Sequence, residues 1–236
     1  GREVDLDLEG LHVKRDGSGL PMHGLLTAAR GWRIERHWEL EEDGDGGVLT
    51  ASFDFGAYPR LVEAFPFPHR VEIEATLAGA ELRIATTVRA GAETSVPIAF
   101  GFHPYLRLPG LPRNEWELTA PVREQLELDE RMLPTGRREA TEIERGPLGA
   151  RTFDDAFVAP AHGEPFVLAG GGRRLELRME EGYPFAQIYA PEDLDAVAFE
   201  PMTAPTNALV SGEDLQMLSP GESFTATFSI ALSETP

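Results

Sequence analysis

Apolar residues in this chain recur at every second position, and nowhere do they keep helical spacing for as many as twelve residues. A period of two places alternate side chains on one face of an extended strand, so the chain has to bury its apolar surface through sheets. The clearest instance is Val71, Ile73, Ala75 and Leu77, a turn at Ala78-Gly79-Ala80-Glu81, and a return through Leu82, Ile84, Thr86 and Val88, which predicts a hairpin. Phe224, Ala226, Phe228, Ile230 and Leu232 share one face of a strand near the C-terminus. Other strands are expected at 3–9, 32–38, 48–55, 94–100, 115–120, 122–128, 165–169, 173–179, 184–190 and 195–200. Nineteen prolines and 24 glycines punctuate them, and many short strands between turns predict an all-β sandwich or barrel. Gly101 to Pro112 and Pro134 to Gly149 read as long loops of the kind that carry function. Glu41 to Gly47 reads as a solvated connection. With no internal repeat or break in composition, residues 1–236 are expected to form a single domain.

Charge narrows the partners. Forty acids against 21 bases leave a formal charge of −19, which argues against a nucleic-acid partner, because phosphate contacts need clustered lysine and arginine. A neutral or cationic small ligand suits it better. With no cysteine there is neither a disulfide nor a thiol nucleophile, which fits the cytoplasm. No apolar run is long enough to span a membrane, so no membrane association is expected. Lys14 is the only lysine. Schiff-base or lysine-acid chemistry would have to run through this residue of a turn-like Lys14-to-Gly19 segment, and is not expected.

Four stretches carry side chains suited to chemistry. Phe100-Gly101-Phe102-His103-Pro104-Tyr105-Leu106 follows an apolar run. Gly101 allows a close approach or an unusual dihedral, and Pro104 biases His103 towards extended geometry. Taken alone this is either a packed strand-end histidine or a proton carrier beside aromatic surface. In Val197-Ala198-Phe199-Glu200-Pro201 an apolar strand delivers one carboxylate and Pro201 is expected to end it. Glu200 then reads as an exposed strand-end acid or as a partly desolvated general base. His23-Gly24 is a turn, structural or aiming an imidazole into a cleft. Asp154 and Asp155, between Phe153 and Phe157, read as a loop whose acids cap a turn or bind hydroxyls. His12, His37, His69 and His162 lack ligand spacing, so no metal is expected. Gly170-Gly171-Gly172 lies between two strands and reads as a hairpin turn rather than a phosphate loop.

Taken together, Met22-His23-Gly24, Gly101-Phe102-His103-Pro104-Tyr105, Asp154-Asp155-Ala156-Phe157 and Glu200-Pro201 with Asn207 following resemble the aldose 1-epimerase (galactose mutarotase) family, from about residue 2 to the last strand. The resemblance implies a large twisted antiparallel β-sandwich, the galactose mutarotase-like supersandwich, with a monosaccharide held on one sheet. It also implies cofactor-free interconversion of α and β anomers. By that likeness Glu200 is the general base at the anomeric hydroxyl and His103 the acid at the ring oxygen. His23, Asp154 and Tyr105 are substrate-binding, with Asp155 as the alternative to Asp154. Arg2 stands where the family carries a sugar-holding arginine, but closer to Gly10 than expected, so the chain resembles a short or truncated member lacking the usual N-terminal strands. A monomer or homodimer is expected.

Three other readings remain open at this point. A hexose-6-phosphate epimerase would need arginines at the cleft mouth, from Arg30, Arg107 or Arg151. A non-catalytic sugar-binding module of the same fold would bind without turnover. A glycoside hydrolase would need two carboxylates, such as Asp154 and Glu200, about 5–10 Å apart across the scissile bond.

Overall fold

A computed structural model describes residues 3–27, 29–36, 46–160 and 163–234. Arg2, His37, Trp38, residues 41–45 of the acidic connection and His162 lie outside the described residues. In chain order the strands begin with β1 (Lys14–Arg15), β2 (Pro21–Met22), β3 (Arg33–Arg36), β4 (Gly46–Asp54), β5 (His69–Ala78), β6 (Glu81–Ala90), β7 (Val96–Ile98), β8 (Tyr105–Leu106) and β9 (Glu117–Thr119). They continue with β10 (Glu124–Leu128), β11 (Pro134–Ala140), β12 (Gly146–Pro147), β13 (Phe153–Val158) and β14 (Phe166–Gly170). The last are β15 (Arg173–Glu181), β16 (Phe185–Ala190), β17 (Val197–Met202), β18 (Gln216–Leu218) and β19 (Ser223–Glu234). Two short helices, α1 (Pro59–Ala64) and α2 (Ala208–Ser211), interrupt them.

Fifteen of these strands form a large antiparallel β-sandwich, while β1 with β2 and β7 with β18 make two-stranded ribbons. One sheet has nine strands in the order β12-β9-β14-β15-β19-β6-β5-β4-β3, and the other has six in the order β11-β10-β13-β16-β17-β8. The expected hairpin is β5 and β6, paired from His69 opposite Ala90 to Ala78 opposite Glu81. Alternation makes the core. Leu118, Phe166, Leu168, Leu177 and Phe228 of the larger sheet meet Phe157, Ile188, Val197 and Phe199 of the smaller one, all buried. The rings of Phe166 and Phe199 lie 5.2 Å apart across that boundary. The other face of the six-stranded sheet carries a smaller apolar cluster around Leu126, Ala156 and Phe185 and, beside it, a set of polar side chains.

Sequence and structure part at six places, the first being the expected loop at 101–112, which contains β8 because Tyr105 and Leu106 pair with β17. Residues 3–9 alternate as a strand does but form none, since no neighbouring strand among the described residues takes their N–H and C=O groups. The expected loop at 134–149 contains β12 and β11, the latter a polar edge strand paired on one side only, with β10. The expected loop at 153–157 is β13, in the middle of its sheet. Asp-Asp has poor strand propensity, but pairing with β10 on one side and β16 on the other overrides it. Lys14 is in strand β1, and the turn itself is Asp16 to Gly19, where the Asp16 carboxylate accepts from the N–H groups of Ser18 and Leu20. Pro201 does not end its strand, because β17 continues to Met202. The Pro201 carbonyl accepts from Phe102 N at 3.1 Å, away from β16, so the absent N–H removes no bond of the β16–β17 ladder.

Gly101 shows why that tie is tight. A Cβ added there would sit 2.6 Å from the carbonyl oxygen of Pro201, so the close approach expected of this glycine is what the fold uses. Gly101→Ala should therefore cost about 1–3 kcal/mol, as overpacking against backbone does. Urea unfolding reads it, and a midpoint equal to that of the wild type would contradict the account.

Candidate active site

Strand register puts one set of polar side chains on the free face of the six-stranded sheet. Glu200 on β17 is directly opposite Gln187 on β16. Tyr189, two residues on, is opposite Ala198 of β17 and Asp154 of β13, and Tyr105 of β8 is opposite Ala198. Directly paired residues and residues two apart share a face, so Tyr105, Glu200, Gln187, Tyr189 and Asp154 all project the same way. Asp155 is paired with buried Ile188 and accepts from Gln125 Nε2 at 3.0 Å, which leaves Asp154 as the acid on the site face. Gln187 Nε2 donates to Asp154 Oδ1 at 2.8 Å and fixes its rotamer.

His103 reaches this face from the segment between β7 and β8. Phe100 N donates to Thr203 Oγ1 at 2.9 Å, Thr203 N donates to Phe100 O at 2.9 Å, and the Phe102 tie to Pro201 follows. Held by these bonds, His103 Nε2 lies 3.1 Å from Glu200 Oε1. The His103 side chain is 25% exposed and that of Glu200 14%, so both are largely desolvated yet open to a small ligand. Tyr105 packs on His103 with ring centroids 4.6 Å apart and is itself 50% exposed, while Tyr189 meets the same imidazole edge-on at 5.8 Å. His23, just after β2, places its ring 5.4 Å from that of His103. Its backbone is left-handed at φ 61°, a conformation that costs a non-glycine residue about 1–2 kcal/mol.

The environment decides where the protons sit. Burial, with a contribution from the Asp154 charge, pushes Glu200 up to about 8. Burial, then His23 and Lys14, lowers His103 below the usual imidazole value, partly offset by Asp154. Burial and then Lys14 lower His23 as well. Near neutral pH the site therefore keeps a proton on the Glu200 carboxyl and the imidazoles neutral. The raised carboxyl and the lowered imidazole have one leading cause, because burial disfavours the charged form of each. An acid and a base 3.1 Å apart and open to a ligand can take a proton from one oxygen and deliver one to a neighbouring oxygen.

Of the expected residues, the structure brings His103, Glu200, His23, Tyr105 and Asp154 together, and Arg2 lies outside the described residues. Gln187, Tyr189 and Lys14 were not anticipated. The signal for the first two was a polar and an amphipathic residue at alternate positions of an otherwise apolar strand, and for Lys14 its singularity. Among the described residues no group of three or more His, Asp or Glu side chains is arranged to hold a metal ion, and no helix is long and apolar enough to cross a membrane. A cleft of about 440 Å³ beside Met179, Tyr183, Thr203 and Phe224 contains none of the site side chains.

The sequence model of a family described as Aldose 1-epimerase matches residues 6–231. The chain is 24% identical over 228 residues to the uncharacterized protein YihR of Escherichia coli K12, covering 93% of this chain and 70% of that one. Among solved structures it is similar to Slr1438 of Synechocystis sp. PCC 6803, with a TM-score of 0.70 and 23% identity over 86% of this chain and 66% of that one. It is also similar to a galactose mutarotase-like protein of Clostridium acetobutylicum, with a TM-score of 0.76 and 17% identity over 86% of this chain and 67% of that one. The chain thus spans about two thirds of the length of these solved structures.

Proposed function

The chain belongs to the aldose 1-epimerase family, and from that premise we propose that it interconverts the α and β anomers of a free hexose by general acid–base ring opening through Glu200 and His103. The observation that carries this reading is the 3.1 Å contact between His103 Nε2 and Glu200 Oε1 on the open face of the six-stranded sheet. When sugar binds, the Glu200 proton passes to the imidazole across that contact. The Glu200 carboxylate then takes the proton from the anomeric O1, the O1–C1 bond becomes a carbonyl, and the C1–O5 bond breaks with its electron pair going to O5. His103 delivers its proton to O5. Rotation about C1–C2 and reclosure on the other face, with Glu200 now giving its proton to O1 and His103 taking one from O5, gives the second anomer, and return of the proton from imidazolium to carboxylate restores the starting pair. Each partner of this kind contributes on the order of 10²–10⁴-fold. His23 and Tyr105 bound the ring beside His103, and Asp154, oriented by Gln187, accepts hydrogen bonds from ring hydroxyls.

The reading is tested by following the optical rotation of freshly dissolved α-glucose and α-galactose with and without the protein. A faster approach to equilibrium with at least one sugar is expected. Unaltered rates with both would overturn the assignment.

A further inference from the structure

A single residue separates His103 from Tyr105, and it is Pro104, which disfavours helical backbone at His103. Extended backbone puts residues two apart on one side, so the two rings meet, with centroids 4.6 Å apart and planes inclined by 31°. That spacing is at the close end for aromatic pairs and the tilt is far from perpendicular, so the imidazole lies against the face of the tyrosine ring. Strand β8 fixes the tyrosine, pairing it with Ala198 of β17, and Tyr189 meets it edge-on at 6.4 Å.

The proposed reaction makes His103 a cation for part of each turnover, in surroundings that give that cation little support. Its Nδ1 is buried and has no hydrogen-bond partner among the described residues. Burial and the charges of His23 and Lys14 oppose protonation, and only partly do the carbonyl of His103 itself and the Asp154 carboxylate offset them. Glu200, 3.1 Å from Nε2, balances the imidazolium until it takes the O1 proton, and from then on it is neutral. The face of an aromatic ring is electron-rich and attracts a cation within about 6 Å of its centroid. We propose that Tyr105 is a positioning residue that acts through His103, its ring face stabilising the imidazolium that forms when Glu200 hands over its proton; this rests on the proposed reaction. The phenol itself stays neutral, since burial, then Tyr189 and Glu200, raise it above the ordinary tyrosine value. It therefore acts as a ring rather than as an anion. Half of Tyr105 is exposed, which leaves it room to bound a sugar as well, so the two roles have to be separated by experiment.

The test follows the His103 imidazole by NMR through a pH titration of the wild type, Tyr105→Phe and Tyr105→Leu, its resonance identified by its absence from His103→Asn. Leucine covers the imidazole without an aromatic face, and should lower its titration by about half a unit to one unit, the size of a lost cation–π contact. Phenylalanine keeps the face and should keep the wild-type value. A merely structural Tyr105 predicts the opposite sign for leucine. A smaller side chain admits water, and burial is the largest influence holding His103 down. In the kinetics, Tyr105→Leu should move the acid limb of kcat/KM down with the titration and lower kcat by about threefold, with a smaller change in KM. An unmoved or raised titration in Tyr105→Leu, or a fall of the same size in Tyr105→Phe, would overturn the inference, and so would a rise in KM alone. The titration needs no turnover, which separates it from the catalytic reading. A lowered His103 in Tyr105→Leu without mutarotation of any sugar would keep the contact and remove only the reaction. Mutarotation with a titration indifferent to residue 105 would remove only the inference.

Discussion

Glu200→Gln is expected to lower turnover in mutarotation by at least about 100-fold, with a much smaller change in KM, because the amide keeps the shape of the carboxyl and cannot accept the O1 proton. The same substitution is expected to stabilise the fold in alkali. Burial holds the Glu200 proton until about pH 8, far above the value of an exposed glutamate. A carboxyl whose folded value is raised adds its full stability below the unfolded value and loses it as pH rises through the folded one. Above pH 8 the wild type must keep an ionised carboxylate in a desolvated site, whereas glutamine at this position never ionises. The stability difference between variant and wild type should move in favour of the variant by on the order of 3 kcal/mol between pH 5 and pH 9. Urea unfolding at the two pH values gives that difference directly. A variant with near-wild-type turnover would remove Glu200 from the mechanism, and a gap independent of pH would remove the account of its burial.

The core was legible because it is written in alternation. The β5–β6 hairpin and β19 appear in the sequence almost as they stand in the fold, since half their residues are apolar and the other half are not. Strands β11 and β13 were illegible for opposite reasons. The first is a polar edge with no buried face to betray it. The second carries adjacent acids whose strand geometry is imposed by the neighbours on both sides. That second failure concerns the site directly, because register places Asp154 rather than Asp155 beside the pair, and register depends on partners far away in sequence. His103 and Glu200 were visible through their surroundings, with Gly101 and Pro104 marking where backbone departs from the ladder. The hydrogen bonds that bring residue 103 against residue 200, through Thr203 and Pro201, leave no local mark. Lys14 shows the remaining gap: its singularity could be counted, but only the β1–β2 pairing puts it beside His23.

His103→Asn should also lower turnover by at least about 100-fold, and its pH profile should change in kind. In the wild type the productive state of the pair holds one proton. Rising pH removes it near 8, where Glu200 ionises, and falling pH adds a second one below the ordinary imidazole value, because burial, His23 and Lys14 hold His103 down. The profile of kcat/KM is therefore a bell whose two limbs belong to the pair as a unit. With asparagine at 103 there is no imidazole to accept the second proton and none to carry a proton to O5, so water must serve as the acid. The residual rate then depends on Glu200 alone acting as base and should rise with pH where the wild-type rate falls. This inversion separates a proton-carrying His103 from a merely structural one, since a packing defect would scale the bell down without turning its alkaline limb upward. Polarimetric rates for both proteins between pH 5 and pH 9.5 read it, and a scaled-down bell in the variant would assign His103 to packing alone.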